Sequence, residues 1–226
     1  MIGNKLEQSI ISVFQNDLTN TFSINEIAKH LNKSYPIINH KSNFFLNEGI
    51  LKKIDIGRSY QCYLNLENDK TKILMSINEI INRELFLNKQ KNFHLILDQI
   101  NKLSNDSLLQ ENVLTAILVN EEIIFILKNI DATLYDSLYL KLSSSMALGK
   151  YTLKIYRMSM FQDILLADIK QYYDHIILFN IVGYLNILSD IGDKMIVNGM
   201  LKNNVRDNVR NNTKSNNKSD KKLVKA

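Results

Sequence analysis

The sequence predicts a mixed α+β protein with a small helix-and-hairpin unit, a helical connector and a second unit in which strands and helices alternate. Three observations support this prediction. Between residues 21 and 66, helical apolar spacing gives way to two β-rich runs. Between residues 68 and 104, apolar residues recur every three or four positions, which is the helical period. From about Asn112 onward, short β-branched runs alternate with helical segments, as in a small sheet covered by helices.

The first unit contains a short helix whose start is marked by a capping box. Ser23 is the expected N-cap, and Glu26 is three residues later, where its side chain can reach back to the cap. Apolar residues at helical spacing then line one face of this helix: Ile24, Ile27, Ala28 and Leu31. Asn32-Lys33 is expected to form a tight turn, after which Ser34 offers a second N-cap.

A second helix is expected to follow this turn directly. Pro36 lies in its first turn, where the missing N–H costs little. Gly49 is the expected C′ residue, since glycine readily adopts the left-handed conformation that ends many helices. Two β-like runs, residues 50–56 and 59–66, are joined at Gly57-Arg58. Helix, turn, helix and hairpin in this order form the layout of a winged helix-turn-helix.

This layout predicts binding to double-stranded DNA, because a major groove roughly 12 Å wide admits one α-helix. In the second helix, Ile38 and Phe45 are expected to face inward, with Ser42 between them where an aliphatic residue would pack better. The other positions combine groups that read bases with groups that neutralise phosphate. With the hairpin cations they form the predicted DNA-binding set: Ser34, Tyr35, Ile37, Asn39, His40, Lys41, Asn43, Lys52, Lys53 and Arg58. The alternative is a core helix followed by a solvated β-turn.

Three runs in this unit also resemble a known family. They are IAKHLNKSYP at 27–36, LNEGILKK at 46–53 and IGRSYQCYLNL at 56–66. Together they resemble archaeal winged-helix transcriptional regulators over about residues 1–66. The resemblance implies that the turn and recognition helix contact operator DNA and that Arg58 meets the DNA backbone.

Composition narrows the class of protein further. The 226 residues are enough for one large domain or two small ones, and 45% are hydrophobic. The single cysteine, Cys62, excludes an internal disulfide framework and fits a reducing compartment. No secretory signal pattern is present, and the longest apolar stretch, residues 176–188, is too short and too polar to span a bilayer. We therefore expect a cytoplasmic protein without membrane contact.

Charge is concentrated at the C-terminus. The chain carries a net +5, whereas residues 200–226 hold eight Lys or Arg and two Asp, a net +6. The winged-helix stretch 1–66 is only +2, which is a small surplus for a DNA-binding module. Residues 201–226 are expected to form a disordered basic tail, serving either solubility or non-specific attraction to nucleic acid.

The connector, residues 68–104, contains two apolar series at helical spacing. The first series is Ile73, Ile77, Ile80, Ile81 and Leu85, and the second is Phe93, Ile96, Leu97, Ile100 and Leu103. A long helix that follows a wing can serve a homodimer, although packing on its own domain would explain the same spacing. We expect a homodimer, which would also compensate for the weak charge of a single DNA-binding unit.

The second unit is predicted to be a small α/β domain over residues 105–200, with its helices on one face of a sheet. Strands are expected at 113–119, 123–127, 151–156 and 176–179. Helices are expected at 133–146 and 160–173, and the segments after the last strand, to about residue 201, are expected to return to helix. The boundaries of the four predicted segments are therefore 1–67, 68–104, 105–200 and 201–226.

This order of elements is similar to archaeal proteins that fuse a winged helix to a minimal nucleotidyltransferase-like domain. The similarity rests on the connector, the run YRMSMF at 156–161, and the strand IILF at 176–179 followed by Gly183. That family holds nucleotide and Mg²⁺ with a Gly-Ser pair and an Asp-x-Asp motif, and neither motif occurs in this sequence. The four histidines also lack partners at metal-ligand spacing.

We therefore expect a DNA-binding regulator with a non-catalytic C-terminal sensing or assembly domain, no cofactor and no metal. Two alternatives remain open. The winged helix could dock protein rather than DNA, which the near-neutral body of the chain would favour. The chain could also be a nucleotidyltransferase-like enzyme, which the missing motifs disfavour.

Overall fold

A computed structural model describes most of the chain. The described residues are 4–57, 59–90, 93–103, 105–145 and 149–200. Arg58 and the expected disordered tail, residues 201–226, lie outside them. Within these ranges the protein is a mixed α+β structure with two small sheets, as the sequence predicts.

The N-terminal part consists of three helices followed by an antiparallel hairpin. Its elements are α1 (Lys5–Gln15), α2 (Ile24–His30), α3 (Tyr35–Asn47), β1 (Leu51–Ile56) and β2 (Ser59–Leu64). The predicted capping box of α2 is confirmed, with the Ser23 backbone N–H donating to Glu26 Oε2 at 2.7 Å. A second capping box, between Asn4 and Glu7, starts α1 and was not predicted.

Glycine and asparagine end these elements where the chain must turn sharply. Gly49 follows α3 with φ +67° and Asn32 follows α2 with φ +49°, both in the left-handed region. Phe22, just before α2, is tied to β2 by two backbone hydrogen bonds with Cys62, of 2.8 and 2.9 Å. The hairpin therefore lies against the start of α2 as well as the end of α3.

The remaining elements begin with three helices and a strand pair, after which helices and strands alternate. They are α4 (Asp69–Lys89), α5 (His94–Leu103), α6 (Ser107–Asn112), β3 (Val113–Val119), β4 (Glu122–Leu127), α7 (Ala132–Ser145), β5 (Thr152–Arg157), α8 (Met158–Asp168), β6 (Ile176–Phe179) and α9 over residues 181–200. The four predicted strands are confirmed. The predicted helix 160–173 is instead α8 followed by a 3-10 turn over Ile169–Tyr172.

Strands β3 to β6 form one sheet in the order β5-β4-β3-β6. The β3–β4 hairpin is antiparallel, β4 and β5 are parallel, and β6 is antiparallel to β3. The parallel pair requires a crossover, which α7 provides. Short strands on both sides of the hairpin thus complete a four-stranded mixed sheet.

Helices cover both faces of this sheet, so the expectation of helices on one face is wrong. One face packs with α5 and α7 through Ile100 and Leu142, and the other packs with α8 and α9 through Phe161 and Leu185. The reason lies in the two central strands, which are almost continuously apolar and buried. A strand without polar–apolar alternation has to be covered on both faces.

α4 buries the face that the sequence marks as less apolar. Its buried side chains are Thr71, Leu74, Met75, Asn78, Glu79 and Leu87. The predicted series of isoleucines lies on the other side, with Ile73, Ile80 and Ile81 exposed by 57%, 43% and 43%. Packing on its own domain therefore does not explain this series.

α9 returns from the sheet to the N-terminal part and packs closely on it. A Cβ at Gly199 would lie 2.0 Å from the Thr19 carbonyl oxygen, and one at Gly192 would lie 3.1 Å from Leu66. The Tyr173 hydroxyl donates to the Asp17 carboxylate beside this contact. One hydrophobic cluster consequently contains residues of the hairpin unit, of α9 and of the four-stranded sheet.

Candidate nucleic-acid interface

The segment from α2 to α3 orients the candidate interface. After Asn32 reverses the chain, the Lys33 N–H donates to the Ala28 carbonyl at 3.0 Å, which holds the turn against α2. Ser34 occupies the N-cap position of α3, as predicted, but its side chain makes no capping hydrogen bond. The Ser34 hydroxyl therefore forms no hydrogen bond with the first turn of α3. Pro36 lies in the first turn of α3.

α3 is anchored by its inner face. Ile38, Ser42 and Phe45 are each 0% exposed, so this side of the helix is fixed against the N-terminal core. The hydroxyl of Ser42 has no hydrogen-bond partner among the described residues, which agrees with the expectation that an aliphatic residue would pack better there. The opposite side of the helix must then face solvent.

The outer face of α3 brings together most of the predicted base-reading side chains. Tyr35 and Ile37 are 49% and 52% exposed, His40 and Asn43 are exposed, and Asn39 is half-buried. Asn43 Nδ2 donates to Asn39 Oδ1 at 3.3 Å, one helical turn apart. Two amide groups, an imidazole and a phenol therefore share one exposed surface at the start and middle of the helix.

Lys41 does not extend this surface. Its Nζ lies 2.8 Å from Glu7 Oε1 on α1, and it also lies 4.9 Å from the centre of the Phe44 ring. The Glu7 side chain is 2% exposed, so this nearby cation offsets part of the cost of burying its carboxylate. The structure thus gives Lys41 a role in holding α1 against α3.

The two hairpin cations, Lys52 and Lys53, differ in whether they pair with carboxylates of the chain. Lys52 Nζ lies 3.1 Å from Glu67 and 3.5 Å from Asp193. Burial alone would lower the pKa of Lys52, but these two carboxylates raise it above its ordinary value. Lys53 is exposed and lies over the Tyr60 ring at 5.6 Å. Lys53 is therefore the more accessible of the two, whereas Lys52 joins the hairpin to α9.

Two further cations beside α3 are absent from the set predicted from the sequence. Lys29 and Lys33 are exposed at the end of α2 and in the turn before α3, and neither forms an ion pair within the described chain. Their positions at the end of α2 and in the turn, next to the recognition-helix candidate, were the signal that could have identified them. Cys62, by contrast, is fully buried, and burial raises the pKa of its thiol to about 11.

A second group of polar side chains is buried between α1, α4 and the segment before β6. Glu79 Oε1 accepts from Gln15 Nε2 at 2.9 Å, and Glu79 Oε2 lies 3.7 Å from His175 Nε2. His175 Nδ1 lies 2.6 Å from the Tyr172 carbonyl oxygen, so Nδ1 carries the proton and donates it. Burial raises the pKa of Glu79 to about 7, and burial lowers the pKa of His175 to about 4.

Metal-binding and membrane-spanning features can be assessed over the described residues. Among them, no group of three or more His, Cys, Asp or Glu side chains is arranged to hold a metal ion. None of the helices in the described ranges is long and apolar enough to cross a membrane. Asp131 accepts the Leu134 N–H at 2.8 Å and so caps the start of α7.

Comparison with known protein families, with curated proteins and with solved structures finds no match to this chain.

Proposed function

We propose that residues 1–67 are a winged helix that binds double-stranded DNA and that the protein is a transcriptional regulator. The observation that carries the proposal is the outer face of α3, which exposes Tyr35, His40 and Asn43 beside the half-buried Asn39. Asparagine can form two hydrogen bonds with adenine in the major groove, and a helix is the element that fits there. In this proposal α3 is the recognition helix.

The cations divide into those that would meet DNA and those that hold the fold. Lys29, Lys33 and Lys53 are exposed near α3 or on the hairpin, and Arg58 follows Gly57 in the sequence between β1 and β2. These four would contact phosphates, whereas the ion pairs of Lys41 and Lys52 argue against that role for both. Few phosphate contacts per chain imply weak binding by one copy, so the basic residues 201–226 would supply further non-specific attraction.

The C-terminal part is proposed to sense a ligand or to support assembly, without catalysis. The proposal rests on the sequence, which lacks the Gly-Ser pair and the Asp-x-Asp motif of the nucleotidyltransferase-like family it resembles. The close packing of α9 on Thr19 and Leu66 gives this part a direct mechanical connection to the hairpin unit. A change in the sheet could therefore alter the position of the proposed recognition helix.

A second function is favoured by one specific observation. Tyr35 and Ile37 are large apolar side chains, both about half exposed at the start of α3. Exposed aromatic and aliphatic groups together are common at protein interfaces. The same surface could therefore dock a protein instead of DNA, and a salt-dependent binding experiment separates the two.

The test measures binding of the full chain to a random-sequence duplex between about 50 and 200 mM salt. We expect affinity to fall with salt, and Arg58→Ala to weaken binding to every sequence and lower the salt slope by about one unit. Lys150→Ala is the matched control, because Lys150 carries the same charge but pairs with Glu121 at the edge of the four-stranded sheet. The control should keep the slope of the unmodified protein.

The outcomes lead to different conclusions. Absence of duplex binding at low salt would refute DNA binding and leave the protein-docking alternative. Binding with an unchanged slope in Arg58→Ala would show that the hairpin turn does not touch DNA. An equal change in Lys150→Ala would mean that only net charge matters and that no defined interface exists.

A further inference from the structure

α4 exposes a continuous row of apolar side chains, which we call the isoleucine stripe. The stripe consists of Ile73, Ile77, Ile80, Ile81 and Leu85. Four of them are 43–57% exposed and Ile77 is half-buried. Their separations of three and four residues place them next to one another on the helix surface, so the stripe forms one patch along about three turns.

The patch is comparable in size to the largest apolar patch on a typical monomer, and such patches are often functional. Side chains of this type, half exposed, present on the order of 80 Å² each, so the stripe presents on the order of 400 Å² of apolar area. This is about half of the roughly 800 Å² that each partner loses in a standard protein interface. Scattered single apolar residues need no explanation, whereas a continuous patch of this size is a candidate contact surface.

The surface next to the stripe could supply part of the remaining area. An open groove of about 260 Å³ lies between α4 and α1, lined among others by Ile81, Asn82, Gln8 and Ser12. It begins at the stripe and is bordered by polar side chains. An apolar centre with a polar, concave margin is the usual composition of a protein interface.

We propose that a second copy of this chain covers the isoleucine stripe, with the two α4 helices antiparallel across a two-fold axis near Ile77. The charges on α4 favour this occupant. Lys70 and Glu84 are both exposed, at opposite ends of the stripe, and Ile77 is midway between them in the sequence. An antiparallel pair brings Lys70 of each copy toward Glu84 of the other, although Lys70 also contacts Glu48 of its own chain. A parallel pair would place like charges together.

The chain's own C-terminal segment is a poorer occupant. Residues 201–226 contain eight Lys or Arg and two Asp, and only five of their side chains are Leu or Val. Such a composition cannot bury an isoleucine stripe whose first turn already carries Lys70. A second copy, by contrast, brings an identical apolar stripe and the complementary charge order.

The first test is the solution mass of the full chain in the absence of DNA, so it is independent of the proposed function. One chain has a mass of 26.2 kDa, and we expect twice that value at micromolar concentration. Ile77→Glu should return the mass to that of one chain, because a carboxylate from each copy would be buried at the axis. The expected loss of affinity is about 100-fold or more.

A matched variant separates this effect from misfolding. Leu95→Glu makes the same type of change on α5, where Leu95 is 71% exposed, and should remain dimeric. Circular dichroism of both variants checks that they remain folded. A monomeric wild type, or an Ile77→Glu variant that stays folded and dimeric, would overturn the proposal.

The second test measures the orientation of the helices by disulfide cross-linking. The native Cys62 is fully buried, so an introduced cysteine would be the reactive one. Ile77→Cys should cross-link to itself across the axis, whereas Ile73→Cys should not, because its two copies would be about 12 Å apart along the helices. Equal cross-linking of both variants would indicate a parallel pair and refute the antiparallel arrangement.

Discussion

The buried pair of Glu79 and His175 leads to a prediction about stability and pH. Burial raises the pKa of Glu79 from 4.5 to about 7 and lowers the pKa of His175 from 6.5 to about 4. Both shifts favour the neutral form, as expected when a charge leaves water. The two residues are 3.7 Å apart, so they share one environment and are best tested together.

The pair should add little pH dependence while both residues are present. Between about pH 4.5 and 6.5, the unfolded pair holds one proton, on histidine, and the folded pair also holds one proton. Because the number of bound protons does not change on unfolding, the free energy of unfolding does not depend on this pair in that window. Removing either residue should break this balance, in opposite directions.

In His175→Gln, the folded protein holds more protons than the unfolded chain, because the pKa of Glu79 is raised on folding. Stability should therefore fall as pH rises from about 4.5 to 7. In Glu79→Gln, the pKa of His175 is lowered on folding, so the unfolded chain holds more protons. Stability should then rise between about pH 4 and 6.5. Each shift of 2.5 units corresponds to about 3 kcal/mol.

The assay is urea unfolding of the three proteins from about pH 4 to 8, with the free energy of unfolding taken at each pH. Glu111→Gln is the control, since it makes the same substitution at an exposed position on α6. It should follow the wild-type profile. Parallel profiles for Glu79→Gln and His175→Gln would refute the reasoning, because they would show that burial does not shift the two groups in opposite directions.

Two more predictions concern packing and the ion pair beside α3. Gly199→Ala should lower stability by about 3 kcal/mol or more, because its Cβ would meet the Thr19 carbonyl, whereas the exposed Val197→Ala should change stability by about 0.5 kcal/mol or less in thermal unfolding. Lys41→Gln should lower stability by roughly 2–3 kcal/mol, because it removes the Lys41 ammonium from beside the buried Glu7 carboxylate, and should not alter the salt slope of DNA binding. Lys33→Gln should leave stability unchanged and lower the salt slope of DNA binding. A slope lowered by both variants would contradict a purely structural role for Lys41.

Local signals in the sequence determined where most elements begin and end. As predicted, the Ser23–Glu26 capping box starts α2, and Gly49 is the left-handed residue that follows the C-cap of α3. The hairpin β3–β4 follows its β-branched runs closely, with only one residue of difference at the start of β4. These signals succeed because capping and backbone conformation depend on residues within one turn of each other.

Which face of a helix is buried was harder to predict from the sequence. Apolar spacing on α4 identified a helix but left open whether its isoleucines pack on their own domain or on a second copy. The fold buries Asn78 and Glu79 on this helix and leaves the isoleucines largely exposed. Asn78 can be buried because Gln8, Ser12 and Gln15 of α1 accept its hydrogen bonds. Those partners are more than sixty residues away, and no local pattern reveals that a polar side chain will be satisfied there.

In the candidate interface, too, the sequence determined some features and the tertiary structure decided others. Sequence alone determined the helix–turn–helix–hairpin order and the outer face of α3, because both follow from periodicity. Only the tertiary structure decided that Lys41 pairs with Glu7 and that Lys52 pairs with Asp193, 141 residues away. Whether a cation is available to a ligand depends on which carboxylates the fold brings within a few ångströms, and this is a property of packing between distant segments.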